Sequence, residues 1–150
     1  MKDLAATATG TTPTPIEECY AVLSDFERYP AWFPDSIKAA EILEQGPDGQ
    51  PTRIKTTLHV AQGPIVRDFK VHMAVTVRRP ELIELRRLPK EPSDHEQILV
   101  SWRLSDRDGG TEIEAGLRAS LNIPRFLPVG GLAESMARGF LDAALVQFGR

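Results

Sequence analysis

The sequence predicts an α+β protein: a curved antiparallel sheet wrapped around one long C-terminal helix, with two short helices after the first strand. Three observations carry this. From residue 36 to residue 121 the chain alternates apolar and polar positions, with turn signals between the runs, as antiparallel strands joined in sequence do. From residue 131 the pattern changes to a helical period. Each of the later strands has one apolar face, so the sheet needs one cover, and the apolar stripe of the last helix supplies it.

The elements follow in order. Leu4 to Thr12 is small and Thr-rich and fits a short strand. In "TPIEECYAVLSD" Thr14 is placed as an N-cap, Pro15 at the first helical position and Glu17 three residues past the cap, which reads as a capping box. Ile16, Cys19, Tyr20 and Leu23 then make an apolar stripe, and the helix is expected to stop near Ser24 or Asp25. Pro30 and Pro34 leave room only for short helical turns in "DFERYPAWFP". "SIKAAEILEQ" and "TRIKTTLHV" flank the hairpin signal "GPDGQP". The second of these points Ile54, Thr56, Leu58 and Val60 one way. In "VRDFKVHMAVTVRR" Phe69, Val71, Met73, Val75 and Val77 share a dry face opposite Lys70 and His72. "ELIELRRL" turns Ile83 and Leu85 inward, "QILVSWRLS" Ile98, Val100, Trp102 and Leu104, and "TEIEAGLRASL" Ile113, Ala115, Leu117, Ala119 and Leu121. In the final helix Ala133, Met136, Ala137, Phe140, Ala144 and Phe148 fall on one face.

Composition limits the function classes. At 150 residues the chain is expected to form one domain, residues 1–150. A formal charge of -3 and a pI near 5.6 supply no basic excess for neutralising phosphates, so no nucleic-acid partner is expected. Cys19 is a lone cysteine, and no apolar run approaches the roughly 20 residues that span a bilayer. A cytoplasmic protein is the expectation, with oligomeric state open.

This order of elements resembles the START-like superfamily with its helix-grip fold, which includes birch-pollen-allergen-like proteins, polyketide cyclase/dehydrases and coenzyme-Q-binding proteins. The most specific part is "ECYAVLSDFERYPAWFP", in which Asp25, Tyr29, Pro30 and Trp32 match the signature of the bacterial branch. The resemblance implies an apolar ligand held between sheet and long helix. The residues point the same way: Met136 and Phe140 alternate with Ala133, Ala137 and Ala144, which leave either close packing or a void. Tyr29, Trp32 and Phe33 are expected to close the open end of such a pocket, or to be ordinary core aromatics.

Chemistry is harder to find. The chain has no phosphate loop, nucleophile elbow or paired metal-ligand motif, and no cofactor or metal is expected. His59, His72 and His95 read as surface residues and Cys19 as a buried structural thiol. Arg87 shares the face of Ile83 and Leu85; it either reaches a ligand carboxylate or phenolate at the pocket mouth or snorkels into water. Thr56 is a second inward polar group. The expected cavity lining is therefore Trp32, Phe33, Thr56, Leu58, Phe69, Met73, Leu85, Arg87, Trp102, Met136, Ala137, Phe140 and Ala144, around a volume of roughly 300–1,000 Å³. In "NIPRFLPVGG", Phe126, Leu127 and Val129 form a helix entry, a flap, or a transient membrane contact. The leading functional expectation is binding or transport of a small hydrophobic molecule such as a lipid, quinone or polyketide. The alternatives are a cyclase or dehydratase acting in the same cavity, and an interaction protein resembling ribosome-associating toxins.

Overall fold

The computed structural model describes residues 1–124, 126 and 129–149, apart from the side chains of Gln62 and Ile65. The elements are β1 (Lys2–Thr12), α1 (Ile16–Ser24), a 3-10 turn (Phe26–Arg28), α2 (Tyr29–Trp32), β2 (Ile37–Gln45), β3 (Pro51–Gln62), β4 (Ile65–Arg78), β5 (Leu82–Arg87), β6 (Gln97–Arg107), β7 (Gly110–Leu121) and α3 (Leu132–Phe148). The strands form one antiparallel sheet in the order β1-β7-β6-β5-β4-β3-β2. β2 to β7 are a meander, because tight turns bring each strand back beside its predecessor. β1 is added to the far edge against β7, in register from Lys2 opposite Leu121 to Thr12 opposite Thr111.

Alternation sorts the side chains as the sequence predicts. Phe69, Val71 and Met73 are buried while Lys70 and His72 are exposed, and Ile54, Thr56 and Val60 are buried with Leu58 partly so. The other edge, β2, pairs with β3 irregularly, with register shifts at Ile37/Ala39, Ile42/Glu44 and Glu44/Gln45. Bulges of this kind twist an exposed edge away from pairing with another chain.

The entry to α1 differs from the capping box. Pro15 itself is the N-cap, and no side chain caps the helix. The Thr14 hydroxyl instead donates to the Phe148 carbonyl at 3.3 Å, and Glu17 pairs with Arg79 at 3.2 Å. Thr14 is drawn away because the last carbonyls of a helix lack intrahelical donors, and the end of α3 lies within its reach.

α3 presents a broader apolar face than the sequence suggested. Leu132, Ala133, Ala137, Leu141, Ala144 and Phe148 are buried, whereas Met136 and Phe140 are only partly so. Leu141, fully buried, had no place in the expected stripe. The C-terminal half of α3 lies close on β1. A Cβ placed on Gly10 would stand 3.1 Å from Leu145 Cδ1 and 3.3 Å from Leu141 Cδ2, closer than ordinary contact, so only glycine fits without displacing those side chains.

Candidate functional site

Between the N-terminal half of α3 and the sheet lies an apolar cleft. It is lined by Leu58 and Phe69 from the β3–β4 pair, Leu4, Ile98 and Ala119 from β1, β6 and β7, and Leu132 and Met136 from α3. Leu117, Leu121, Ile123 and Val60 complete it. β1, β3, β4, β6 and β7 contribute inward positions near the same end of the sheet, which is why residues so distant in sequence converge. Every lining side chain is hydrocarbon or thioether. Such a surface excludes water and holds apolar matter, and it carries no titratable proton.

The cleft is small, about 40 Å³, far below the roughly 300–1,000 Å³ of a pocket that holds a small ligand. The open cavity expected from sequence is thus corrected to a nearly closed cleft, and the reason is visible in the aromatics. Phe140 lies 4.6 Å from Trp102, 5.7 Å from Trp32 and 5.1 Å from Phe33, centroid to centroid. Tyr29 meets both Trp32 and Phe140. These rings fill the middle of the space under α3 with their own contacts.

Of the expected lining residues, the structure brings Leu58, Phe69 and Met136 to the cleft. Trp32, Phe33, Trp102 and Phe140 form the aromatic cluster beside it. Thr56, Met73, Leu85, Ala137 and Ala144 are buried elsewhere in the core. The Thr56 hydroxyl is directed at the Met73 sulfur, 3.9 Å away. Leu4, Val60, Ile98, Leu117, Ala119, Leu121, Ile123 and Leu132 were missing from the expected lining. Alternation marks several of them as inward, but nothing in a strand pattern says which end of the sheet stays open.

Arg87 takes neither of its expected roles. Its side chain is 6% exposed and forks onto Asp94, with Nη2 2.6 Å from Oδ2 and Nη1 3.1 Å from Oδ1. It also donates to the Glu96 carbonyl at 2.8 Å. Asp94 further accepts the backbone N–H groups of Lys90 and Glu96, so the 88–96 loop folds back and ties off the guanidinium. These bonds, with Arg87's first, hold the Asp94 carboxyl well below the usual carboxylate range.

Other candidates settle quietly. The Tyr29 hydroxyl donates to the Leu23 carbonyl, and burial pushes its ionisation far above the ordinary phenol range. Cys19 is buried, and burial likewise pushes its thiol up. His72 and His95 are exposed, and His59 Nδ1 lies 2.6 Å from Asp68 Oδ1 at the surface. Phe126 is 83% exposed, whereas Val129 packs against the core. Leu127, named with them, lies outside the described residues. No helix among the described residues is long and apolar enough to cross a membrane.

Fold and site together define a helix-grip protein with an apolar space under its long helix. The family model for "Polyketide cyclase / dehydrase and lipid transport" matches residues 12–148, and the chain belongs to that family. Solved structures agree on the fold. A START superfamily protein from Mycobacterium smegmatis superposes with a TM-score of 0.79 at 20% identity, covering 97% of both chains. A STAR-related lipid transfer protein from Xanthomonas axonopodis gives 0.67 at 20% identity, covering 97% of this chain and 86% of the other. The Zhui aromatase/cyclase from a Streptomyces species gives 0.60 at 22% identity, covering 99% and 87%. A search of curated protein sequences finds no match.

Proposed function

We propose that this protein binds and carries a small hydrophobic molecule in the space between the sheet and the N-terminal half of α3. The observation that carries the reading is the cleft whose lining is wholly apolar. A lining that offers neither an acid nor a base suits holding a molecule better than proton transfer, which needs a titratable group within hydrogen-bond reach. Family membership supports the same reading, since lipid transport is part of the family's description. Because the cleft holds only about 40 Å³, cargo enters only if the start of α3 moves off the sheet. Gly131, at φ 79° immediately before α3, gives that end of the helix an uncapped, left-handed start. Exposed Phe126, in the link to α3, suits brief contact with a membrane during exchange. The whole chain, residues 1–150, acts in this reading as one binding unit.

A second reading, a cyclase or aromatase acting in the same space, is favoured by the aromatic cluster of Tyr29, Trp32, Phe33, Trp102 and Phe140, which offers ring faces to a flat substrate. Native mass spectrometry of the purified protein, followed by extraction, tests both. A single apolar adduct released unchanged supports the carrier. An adduct converted to a cyclised or dehydrated product on incubation supports the enzyme. A protein that neither co-purifies with an apolar molecule nor takes one up from a lipid extract overturns the binding function itself.

A further inference from the structure

We propose that the outer face of the sheet carries a second site, a hollow in which Arg86 and Arg118 grip a phosphate-bearing molecule. It opens on the other side of the sheet from the space under α3, with Leu4, Ile98 and Ala119 bordering both. The hollow has a volume of about 740 Å³ and lies where the end of β5 and the starts of β1 and β6 meet the end of β7. Across the strands Arg118 stands opposite Leu99, and Leu99 opposite Arg86. Strand alternation turns all three away from Ile98 and Ala119, which line the inner cleft. The two arginines are therefore two strand spacings apart, roughly 9–10 Å at the backbone, with one leucine between. Their long side chains can close on one group from opposite sides.

Arg28, Arg86, Arg103 and Arg118 hold no carboxylate among the described residues, and of these Arg86 and Arg118 share the hollow of about 740 Å³. Arg53, Arg67, Arg78, Arg79 and Arg87 each hold a carboxylate. The carboxylates around the hollow are already engaged: Asp3 accepts the Ser120 hydroxyl at 2.6 Å, Asp94 is held by Arg87, and Glu96 by Arg67 and the Asn122 N–H. Further along the face a second hollow, about 510 Å³, contains Glu84, Arg103 and Glu114. Arg103 stands opposite Glu114 there. Arg118 borders this hollow too, and arginines and carboxylates are equal in number in both linings; what favours an anion at the Arg86–Arg118 end is that Asp94 and Glu96 there are already paired with Arg87 and Arg67. A guanidinium fork takes two oxygens at once, and a phosphate has enough oxygens for two forks where a carboxylate has enough for one.

The phosphate group could belong to a soluble molecule or to a lipid headgroup, and the experiment has an arm for each. Isotope-labelled protein is titrated with glycerol phosphate, and separately with vesicles containing phosphatidylglycerol against vesicles of phosphatidylcholine alone. The proteins are wild type, Arg86→Gln with Arg118→Gln, and Arg28→Gln as a control on the helical side. All three positions are exposed, and a dispersed amide spectrum confirms that each variant folds. The expected result is saturable amide shifts confined to the ends of β5 and β7 and the start of β6, weakened roughly tenfold or more in the double variant and unchanged in the control. A response to glycerol phosphate identifies a soluble ligand; a response only to the anionic vesicles identifies a headgroup. No saturable response in either arm, or one equal in the double variant, overturns the site. Uptake of apolar cargo is unaffected by either result, so this proposal and the carrier reading fail independently.

Discussion

The two halves of α3 meet the same sheet in different ways. Around Leu141 and Leu145 the helix lies so close to β1 that a methyl group on Gly10 would press on both leucines. Around Leu132 and Met136 it stands over a cleft. Small residues occur in both regions and mean different things. Gly10 and Ala144 permit close approach, whereas Ala119 borders space. The carrier reading requires the first of these halves of the helix to stay fixed and the second to lift.

The largest test of this contrast is truncation. Leu141→Ala removes a fully buried side chain from the fixed half, and the expected loss is about 2–5 kcal/mol by urea unfolding. Met136→Ala is expected to cost clearly less, because Met136 is partly exposed and already borders the cleft. Equal losses would erase the distinction between the halves.

Adding bulk should reverse sign from one half to the other. Gly10→Val and Ala144→Leu are expected to lower stability by about 1–3 kcal/mol, as overpacking does. Ala119→Leu, directed into the cleft, is expected to leave the thermal midpoint unchanged or raise it. The comparison needs delipidated protein, since bound cargo itself raises the midpoint. Gly131→Ala sharpens the contrast at the hinge: its φ of 79° should make alanine cost about 1–2 kcal/mol.

The last prediction concerns a slope. The Asp94 carboxyl ionises below its ordinary range when folded. The stability from its contacts with Arg87 is therefore complete above the unfolded value, about 3.9, and is lost as the pH falls through the lower folded one. Arg87→Gln should be less stable at neutral pH and should lose stability less steeply below about pH 4. Parallel acid-unfolding curves for the two proteins would contradict this.

How much of this was legible in the sequence depends on the kind of interaction. Alternation fixed which residues of β3, β4, β6 and β7 point inward, and the period change at the end located α3 to within a residue. Periodicity is a local property and needs no partner. Tyr29, Pro30 and Trp32 of "DFERYPAWFP" led to the family for the same reason. What failed were statements about meetings between distant segments. Thr14 looked like a cap until the end of α3 came within its reach. Arg87 looked like a ligand group because its partner, Asp94, lies seven residues on in a loop with no period. The alanines of α3 looked like room because their spacing does not say how near the helix approaches the sheet. Leu141 was the exception, since its helical phase between Ala137 and Ala144 was there to be read.

The central claim is that apolar cargo occupies the cleft under the N-terminal half of α3. A titration of delipidated wild type and Ala119→Leu with the neutral fluorescent probe phenylnaphthylamine tests it most directly. Ala119 lines the cleft, and added bulk there competes with any occupant. The account predicts one saturable site in the wild type and binding weakened by about tenfold or more, at least 1.4 kcal/mol, in a variant of undiminished thermal midpoint. Equal affinity for the two proteins, or a wild type that shows no saturable binding, would contradict it.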